Sequence, residues 1–218
     1  MFSPREGGLV RGWPGRIEGD RVIQLAAQTL QAYFTGGGVA REHAEYAFDD
    51  VVLRAPVLQP PSIRIFGRDG DFHFANPAAI HGPDDVVHVP VGASGIVPVA
   101  RLAAIVGAAG TIGGYTLMND WEAPELTGTK ATDFATSLGP IVITPHEFRA
   151  DAVDFQALAD RAAENTKLVP GDLIVAPGGS RKELVGPGGI GEVTLPPFGT
   201  LRNPVAAAAA QPGGAATS

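Results

Sequence analysis

The second half of the chain consists of short apolar segments that glycine, proline and polar residues keep apart. From residue 62 to residue 144 these segments are SIRIF, DFHFA, VVHVP, IVPVARLAAIVG, YTLMN and PIVIT. Short runs of apolar and β-branched residues predict strands, because such side chains suit a pleated and covered surface. With 29 glycines and 19 prolines, the 218-residue chain has few stretches that favour a long helix. The sequence therefore predicts an α+β protein that is rich in β-structure.

Helices are predicted at three places, two of them in the first part of the chain. Residues 26–34 place leucine and phenylalanine near one helical face and end at a run of three glycines. Residues 39–46 and residues 155–164 (FQALADRAAE) are the other two candidates. Before the first helix, residues 10–25 predict a hairpin, because their Glu-Gly-Asp turn supplies a glycine that tolerates a positive φ.

A proline-rich segment divides the chain into two predicted domains. Residues 55–62 (APVLQPPS) are interpreted as the linker between them. We expect a small β-containing N-terminal domain, with a hairpin and short helices, at residues 1–57, and the main domain at residues 58–205. Residues 206–218 are rich in alanine and glycine, and this low complexity predicts a disordered tail.

Charge and composition argue against several classes of function. The net charge is −7 and lysine and arginine form no cluster, so nucleic-acid binding is not expected. The absence of cysteine excludes a disulfide, a thiolate nucleophile and a zinc–thiolate site. No apolar run has the length of a membrane span. These features predict a cytoplasmic protein that acts on a small molecule.

The stretch GGYTLMNDWEAPELTGTKATDFATSLGP, residues 113–140, holds the strongest candidates for a functional site. Its first apolar run predicts a buried strand that ends at Asn119 and Asp120. Lys130 follows in a polar loop, and a second apolar run begins after SLGP. Reacting groups are often held where a strand of a rigid scaffold opens into a loop. We therefore expect functional side chains at this strand end.

GYTLMND, the following lysine and SLGPIVIT resemble the core of the fumarylacetoacetate hydrolase family. Other segments resemble further parts of that family in the same order, and together they extend over residues 58–205. These are NPAAIHGP at 76–83, LAAIVG at 102–107, VPGDLI at 169–174 and FGTLRNPV at 198–205. The resemblance implies a mixed β-sheet roll with a small N-terminal domain. It also implies a homodimer.

The resemblance implies a divalent cation, usually Mg²⁺, held by three carboxylates. Asp120 matches one ligand, the aspartate that follows the GYT strand. The other two belong to an E-x-E pair, and their positions fall on Val99 and Arg101. Because two of the three carboxylates are absent, we expect a degenerate metal site and no cofactor. If Mg²⁺ binds at all, Asp120 is its predicted ligand.

Other residues of the family pattern have changed as well. Asn76 stands where the family has a lysine before proline. The Arg and Gln that follow the family's aspartate are missing from Ala123–Thr127, and the run that carries its lid and catalytic histidine is shortened to Gly67–Gly70. These changes leave the substrate and the reaction type open.

The residues that remain predict a site with two cations. We expect the Arg101 guanidinium to occupy the place of the metal and to pair with Asp120. Lys130 is retained, and the resemblance places it near Asp120, so an oxyanion would fit between the two cations. His73 or Asp71 is the candidate for a replacement base.

The candidate site residues have defined predicted roles. Asp120, Lys130 and His73 are the predicted catalytic residues: Asp120 orients the substrate or accepts a proton, and Lys130 stabilises an enolate. Arg101, Asn119 and Asn76 are the predicted substrate-binding residues.

Structural alternatives exist for four of these residues. Asp120 is also explained as a loop aspartate that caps backbone amides, and Lys130 as a solvated lysine. Arg101 is also explained as a surface residue on the outer face of a strand, and His73 as a structural or exposed histidine. Ser137 lacks the G-x-S-x-G context of a serine hydrolase.

Three functions are compatible with the sequence. The first is an enzyme that acts on a β-dicarbonyl or 2-oxo acid through an enolate, by C–C bond hydrolysis, decarboxylation or tautomerisation. The second is a metal-independent isomerase or cyclase of specialised metabolism on the same scaffold. The third is a pseudoenzyme that binds without turnover.

Overall fold

The computed structural model of the chain describes residues 1–6, 12–36 and 39–209. Among these residues, the N-terminal part has one short α-helix, α1 (Leu30–Phe34), a 3₁₀ helix at Phe48–Asp50, and five strands. The strands are β1 (Phe2–Pro4), β2 (Gly15–Glu18), β3 (Arg21–Ala26), β4 (Val39–Ala47) and β5 (Val51–Leu53). Strands β2, β3 and β4 form an antiparallel sheet, and β1 pairs with β5.

The predicted hairpin is confirmed in the residues that the structure describes. Strands β2 and β3 pair up to Glu18 and Arg21, and Gly19 in their turn has a φ of +59°. Val10 and Arg11, the first residues of the predicted hairpin, lie outside the described residues. The predicted helix at 26–34 is shorter than expected and begins at Leu30, after the cap formed by Thr29.

The helix predicted at residues 39–46 is wrong, because this segment is strand β4. Its alanines, arginine and glutamates favour a helix when taken alone. In the folded chain, backbone hydrogen bonds to β3 decide its structure instead, with Val22 opposite Tyr46 and Ile23 opposite Glu45. Pairing with a neighbouring strand therefore overrides local helix propensity here.

The main part of the chain carries helix α2 (Phe155–Ala163) and eleven strands. The strands are β6 (Ile63–Phe66), β7 (Phe72–Ala75), β8 (Ile80–His81), β9 (Val87–His88), β10 (Val99–Val106), β11 (Ile112–Asp120), β12 (Thr136–Ile143), β13 (Leu173–Val175), β14 (Ser180–Arg181), β15 (Ile190–Thr194) and β16 (Thr200–Ala206). The predicted β-rich α+β fold is confirmed. Of the described helices, none is long and apolar enough to cross a membrane.

The largest sheet is mixed and strongly curved. Its strand order is β7-β6-β13-β10-β11-β12-β8, with β14 beside β10. Strands β10, β11 and β12 are antiparallel, whereas β13–β6 and β12–β8 are parallel pairs. Strands β7 and β8 lie at opposite ends of this order, yet only residues 76–79 join them. The sheet must therefore curl until its two edges approach each other, which gives the predicted roll.

Hydrophobic side chains cover both faces of the curved sheet. The inner face packs Ile65, Ala103, Met118 and other apolar residues into one core. The outer face packs against α2 through Phe155. Alternation along each strand sends neighbouring residues to opposite faces, so a residue's position in the strand decides which core it joins.

The proline-rich segment at 55–62 is partly buried and does not form a free linker. Ala55 and Val57 are at most 1% exposed and belong to the inner core of the roll. The domain boundary at residue 57 remains a prediction. The predicted tail, 206–218, starts at the last residue of β16, and residues 210–218 lie outside the described residues.

Gly191 on β15 is expected to be essential for packing around Trp121. The Trp121 ring is fully buried, and a Cβ atom at residue 191 would overlap it. We expect Gly191→Ala to lower the free energy of unfolding by about 1–3 kcal/mol, the usual effect of overpacking a core. Urea denaturation measures this change. Gly186→Ala is the matched control, because its Cβ would meet only the Ser94 carbonyl oxygen, at 3.6 Å; equal effects of both substitutions would contradict the packing argument.

Candidate functional site

The site is built where β10 begins and β11 ends. Arg101 lies opposite Met118, and Asp120 lies two residues further along β11, so all three side chains share the inner face of the roll. Arg101 Nε donates a hydrogen bond to Asp120 Oδ2 at 2.8 Å. The side chains of Arg101 and Asp120 are 15% and 4% exposed. The predicted ion pair between them is therefore present, and it is largely shielded from water.

The loop after β13 fixes the Arg101 guanidinium from a second direction. Arg101 Nη1 donates to the carbonyl oxygen of Gly178. Gly178 has a φ of +82°, which glycine adopts without strain. A guanidinium has five N–H donors in a planar fork, so two contacts to the protein leave others for a ligand.

Asp120 experiences opposing electrostatic effects. Burial raises the pKa of its carboxyl above the ordinary value, whereas Arg101 and, more weakly, His73 act to lower it. Its Oδ1 atom is buried and has no hydrogen-bond partner among the described residues. An unpaired charge that is buried away from water is unfavourable. Because one oxygen of this buried carboxylate has no hydrogen-bond partner, the ionised form depends on the neighbouring Arg101 cation.

His73 shares the inner face of the roll with this ion pair. Successive cross-strand partners connect its strand, β7, to β10; they are Ile65, Val175 and Ala103. The imidazole is exposed, and its charge is close enough to act on the Asp120 carboxyl. The structure thus brings Arg101 and Asp120 into contact and places His73 on the same face of the roll, three strands from β10 in the sheet order.

Lys130 is placed differently from the prediction. It lies in a short 3₁₀ helix, Gly128–Ala131, and its Nζ atom is 2.6 Å from Asp133 Oδ2. The Lys130 side chain is 77% exposed. Lys130 therefore pairs with Asp133 and not with Asp120. These contacts do not form the predicted site, in which a ligand oxyanion lies between Arg101 and Lys130.

Asn76 belongs to the same groove as Lys130. Its Nδ2 atom donates to the carbonyl oxygen of Asp133 at 2.9 Å. The groove has a volume of about 600 Å³, and its lining includes Pro90, Leu126 and Phe134. Half of its lining residues come from the connection between β11 and β12, which begins directly after Asp120, and the others lie between β7 and β8 or just after β9.

Asn119 is not brought to the site. It precedes Asp120 in β11, so its side chain points to the opposite face of the sheet. The side chain is fully buried, and its Oδ1 atom accepts a hydrogen bond from the backbone N–H of Val99 at 2.9 Å. Strict alternation along the strand would have indicated this, because Asn119 and Asp120 cannot both face a substrate.

Two nearby residues were not predicted from the sequence. Asp133 pairs with Lys130, and the spacing of three residues in a polar turn was the available signal. Arg68 lies close to Gly178: its Nη2 atom is 3.9 Å from the position that a Cβ on Gly178 would take. No local sequence pattern connects these two residues, because they approach each other only through the parallel pairing of β6 with β13.

Comparison with solved structures identifies the fold. Neither the protein-family models nor the curated proteins gave a match to the sequence. The structure is similar to 2-hydroxyhepta-2,4-diene-1,7-dioate isomerase from Mycobacterium marinum, with a TM-score of 0.71 and 22% identity over 88% of this chain and 92% of that one. It is also similar to 5-carboxymethyl-2-hydroxymuconate delta-isomerase from Mycobacterium smegmatis, with a TM-score of 0.69 and 21% identity over 89% and 94% of the two chains.

A third similar structure contains a metal. It is maleylpyruvate hydrolase from Sphingobium sp. SYK-6 in complex with manganese(II) and pyruvate, with a TM-score of 0.68 and 20% identity over 91% of this chain and 97% of that one. The chain has the fumarylacetoacetate hydrolase fold.

The residues of this chain do not fit the cation that the fumarylacetoacetate hydrolase fold implies. Valine and arginine occupy positions 99 and 101, where two carboxylates are expected, and Arg101 already uses one oxygen of Asp120. A hard cation needs several oxygen ligands. Within residues 1–6, 12–36 and 39–209, no three histidine, aspartate or glutamate side chains are grouped so that they could hold a metal ion.

Proposed function

We propose that the chain is an enzyme that acts on a β-dicarbonyl or 2-oxo acid through an enolate, with the Arg101 guanidinium in the place of the metal. The single observation that supports this most strongly is the shielded Arg101–Asp120 pair, with His73 on the same face of the roll. The names of the similar structures point to substrates of this kind, an oxo or enol acid. The proposal combines the enolate chemistry with the metal-independent alternative.

The proposed reaction begins with proton transfer to His73. The imidazole removes a proton from the carbon next to the 2-oxo group, and the electron pair of the C–H bond moves onto the carbonyl oxygen. A free N–H of Arg101 donates a hydrogen bond to the resulting oxyanion, which lowers the energy of the transition state. Return of the proton to another carbon or to oxygen completes a tautomerisation.

C–C bond hydrolysis uses the same stabilised enolate. Water adds to the acyl carbonyl and loses a proton to His73, and the C–C bond then breaks. The electron pair of that bond enters the 2-oxo fragment as an enolate, which Arg101 stabilises. Protonation of the enolate carbon by the imidazolium releases a carboxylic acid and a 2-oxo acid, so the imidazole is regenerated.

Asp120 and the groove residues have supporting roles in this proposal. Asp120 holds the guanidinium in one orientation and balances its charge. Lys130 and Asn76 line the adjoining groove, where they contact the part of the substrate remote from the reacting carbon. The homodimer and the cytoplasmic location remain predictions; analytical ultracentrifugation tests the first.

A pseudoenzyme is the competing candidate, and one observation favours it. Asp120 and Lys130 both have their charges satisfied by protein partners, Arg101 and Asp133, which is the arrangement of a site that performs no proton transfer at those two residues. Binding of a small acid without turnover would agree with this arrangement.

Turnover in the presence of a chelator tests the proposed function. We expect the purified protein to convert acylpyruvates or oxaloacetate at a rate that EDTA does not change. His73→Gln should lower kcat roughly 100- to 1,000-fold, since general base catalysis contributes about 10²–10⁴-fold. Lys130→Ala should raise KM and leave kcat largely unchanged. Turnover that EDTA abolishes, or that His73→Gln leaves intact, contradicts the mechanism, and no turnover of any substrate supports the pseudoenzyme.

A further inference from the structure

A second shielded ion pair lies on the outer face of the main sheet. Arg64 on β6 and Asp172 just before β13 are 3.5 Å apart, and their side chains are 7% and 3% exposed. The Asp172 carboxylate also accepts hydrogen bonds from the Ser62 hydroxyl at 2.6 Å and from the Val169 N–H at 2.7 Å. Arg64 in turn donates to the Ser62 hydroxyl. These contacts fix the guanidinium in one place.

The Arg64 guanidinium lies over two aromatic rings of strand β7. Its Cζ atom is 5.3 Å from the centroid of the Phe74 ring and 5.9 Å from that of Phe72. Both distances are within the range of about 6 Å at which a cation is attracted to an aromatic face. Phe74 is 64% exposed, so burial alone does little to hold it.

His73 lies between these two phenylalanines and points to the opposite face. Strand β7 ends the strand order of the main sheet, and within the described residues β6 is its paired neighbour. The position of β7, and with it the imidazole, therefore depends on contacts to β6. The rings of Phe72 and Phe74 supply such contacts through Arg64 on the outer face, while His73 lies on the inner face, which also carries Asp120.

We propose that Arg64 is a positioning residue that keeps His73 directed to the inner face of the roll, which also carries Asp120, by holding the aromatic face of β7. The proposal rests on the proposed function, in which His73 is the base. Arg64 acts through the strand and does not touch the reacting atoms. Its own position is set by Asp172 and Ser62, so the buried network on one face of the sheet determines the geometry of the site on the other.

Substitution of Phe74 tests this role without disturbing the buried network. Phe74→Leu removes the ring and leaves Arg64, Asp172 and Ser62 intact. The readout is the NMR ring signal of His73 in histidine-labelled protein, assigned with His73→Gln, together with amide hydrogen exchange in β7. We expect Phe74→Leu to shift the His73 signal and to raise the exchange rates roughly tenfold, because local opening becomes easier.

Three further variants make the result specific. Phe74→Tyr keeps an aromatic ring under the guanidinium, so its His73 ring signal should match that of the unmodified protein. Ile190→Ala is the matched control, since Ile190 is 50% exposed on β15, an end strand of another sheet. It should change neither readout. Arg64→Lys keeps the charge opposite Asp172 but loses the planar group, and it should behave like Phe74→Leu.

The outcomes separate this proposal from the proposed function. If the His73 signal and the exchange of β7 are unchanged in Phe74→Leu, the positioning role is wrong. If both readouts change and kcat for acylpyruvate falls about 10- to 100-fold, as small misplacements of a catalytic group do, both proposals are supported. If both readouts change but His73→Gln retains full turnover, the role of Arg64 is supported and His73 is not the base.

Discussion

Arg101→Met is expected to lower the free energy of unfolding at pH 7 by about 3–5 kcal/mol, the usual effect of removing one partner of a buried ion pair. The substitution leaves the Asp120 carboxylate 4% exposed with no cation in contact. An isolated buried carboxylate is unfavourable because the protein interior solvates it poorly. Urea denaturation of the variant and the unmodified protein measures the difference.

The loss of stability in Arg101→Met should depend on pH. Burial already raises the pKa of Asp120 above its ordinary value of 3.8, and Arg101 opposes that effect. Without Arg101 the folded-state pKa is raised further above the unfolded value. A group with a raised folded pKa contributes stability that is present below the unfolded pKa and is lost as pH rises through the folded pKa. The variant should therefore approach the unmodified protein at about pH 4 and fall below it towards pH 7.

Arg202→Met is the matched control for this prediction. Arg202 Nε lies 2.8 Å from Glu192 Oε1, the same distance as in the Arg101–Asp120 pair, but both side chains are about half exposed. Exposed pairs contribute about 0–1 kcal/mol. Equal losses in Arg101→Met and Arg202→Met, or a loss in Arg101→Met that does not change with pH, would show that burial of Asp120 is not the cause.

The double substitution Val99→Glu and Arg101→Glu is expected to create a binding site for Mn²⁺. Residues 99 and 101 are two positions apart on β10, so their side chains share one face of the sheet. Asp120 on β11 lies on that same face. Three carboxylates on one face supply the oxygen ligands that a hard divalent cation prefers. The cation also replaces the positive charge that Arg101 provides in the unmodified chain.

Metal binding by the double variant is measured by calorimetry and by thermal unfolding. A ligand that binds only the folded state raises the unfolding temperature with its concentration. We expect Mn²⁺ to bind the double variant at least roughly tenfold more tightly than Arg101→Glu alone, because ligand number and charge set the affinity. Equal affinities would mean that residue 99 does not face the site.

The arrangement of the Arg101–Asp120 pair was predictable because both residues lie on regular strands. Alternation along β10 and the resemblance to the family's segment order place their side chains on one face. The same regularity explains why the strand predictions were successful. Short apolar runs between glycines and prolines are too short for a helix and therefore favour strands. The β-sheet roll follows from the resemblance and is confirmed by the similar solved structures.

Other features depend on contacts that sequence patterns do not record. Lys130 pairs with Asp133 in an irregular loop, where no periodicity defines which charges meet. The segment that forms β4 has a composition that favours a helix, but pairing with β3 makes it a strand. The network under β7 joins Ser62 to Asp172, which are 110 residues apart in the chain. Each of these depends on how distant segments approach one another in the curved sheet.

Calorimetric titration of the unmodified protein with Mg²⁺ tests the replacement of the metal by Arg101 most directly. The Arg101 guanidinium bonds to Asp120 Oδ2, and in the proposed function it takes the place of the cation. We therefore predict no heat of binding at micromolar to low millimolar Mg²⁺, and no change in the unfolding temperature. Binding of Mg²⁺ with micromolar affinity that Asp120→Asn abolishes would contradict this account.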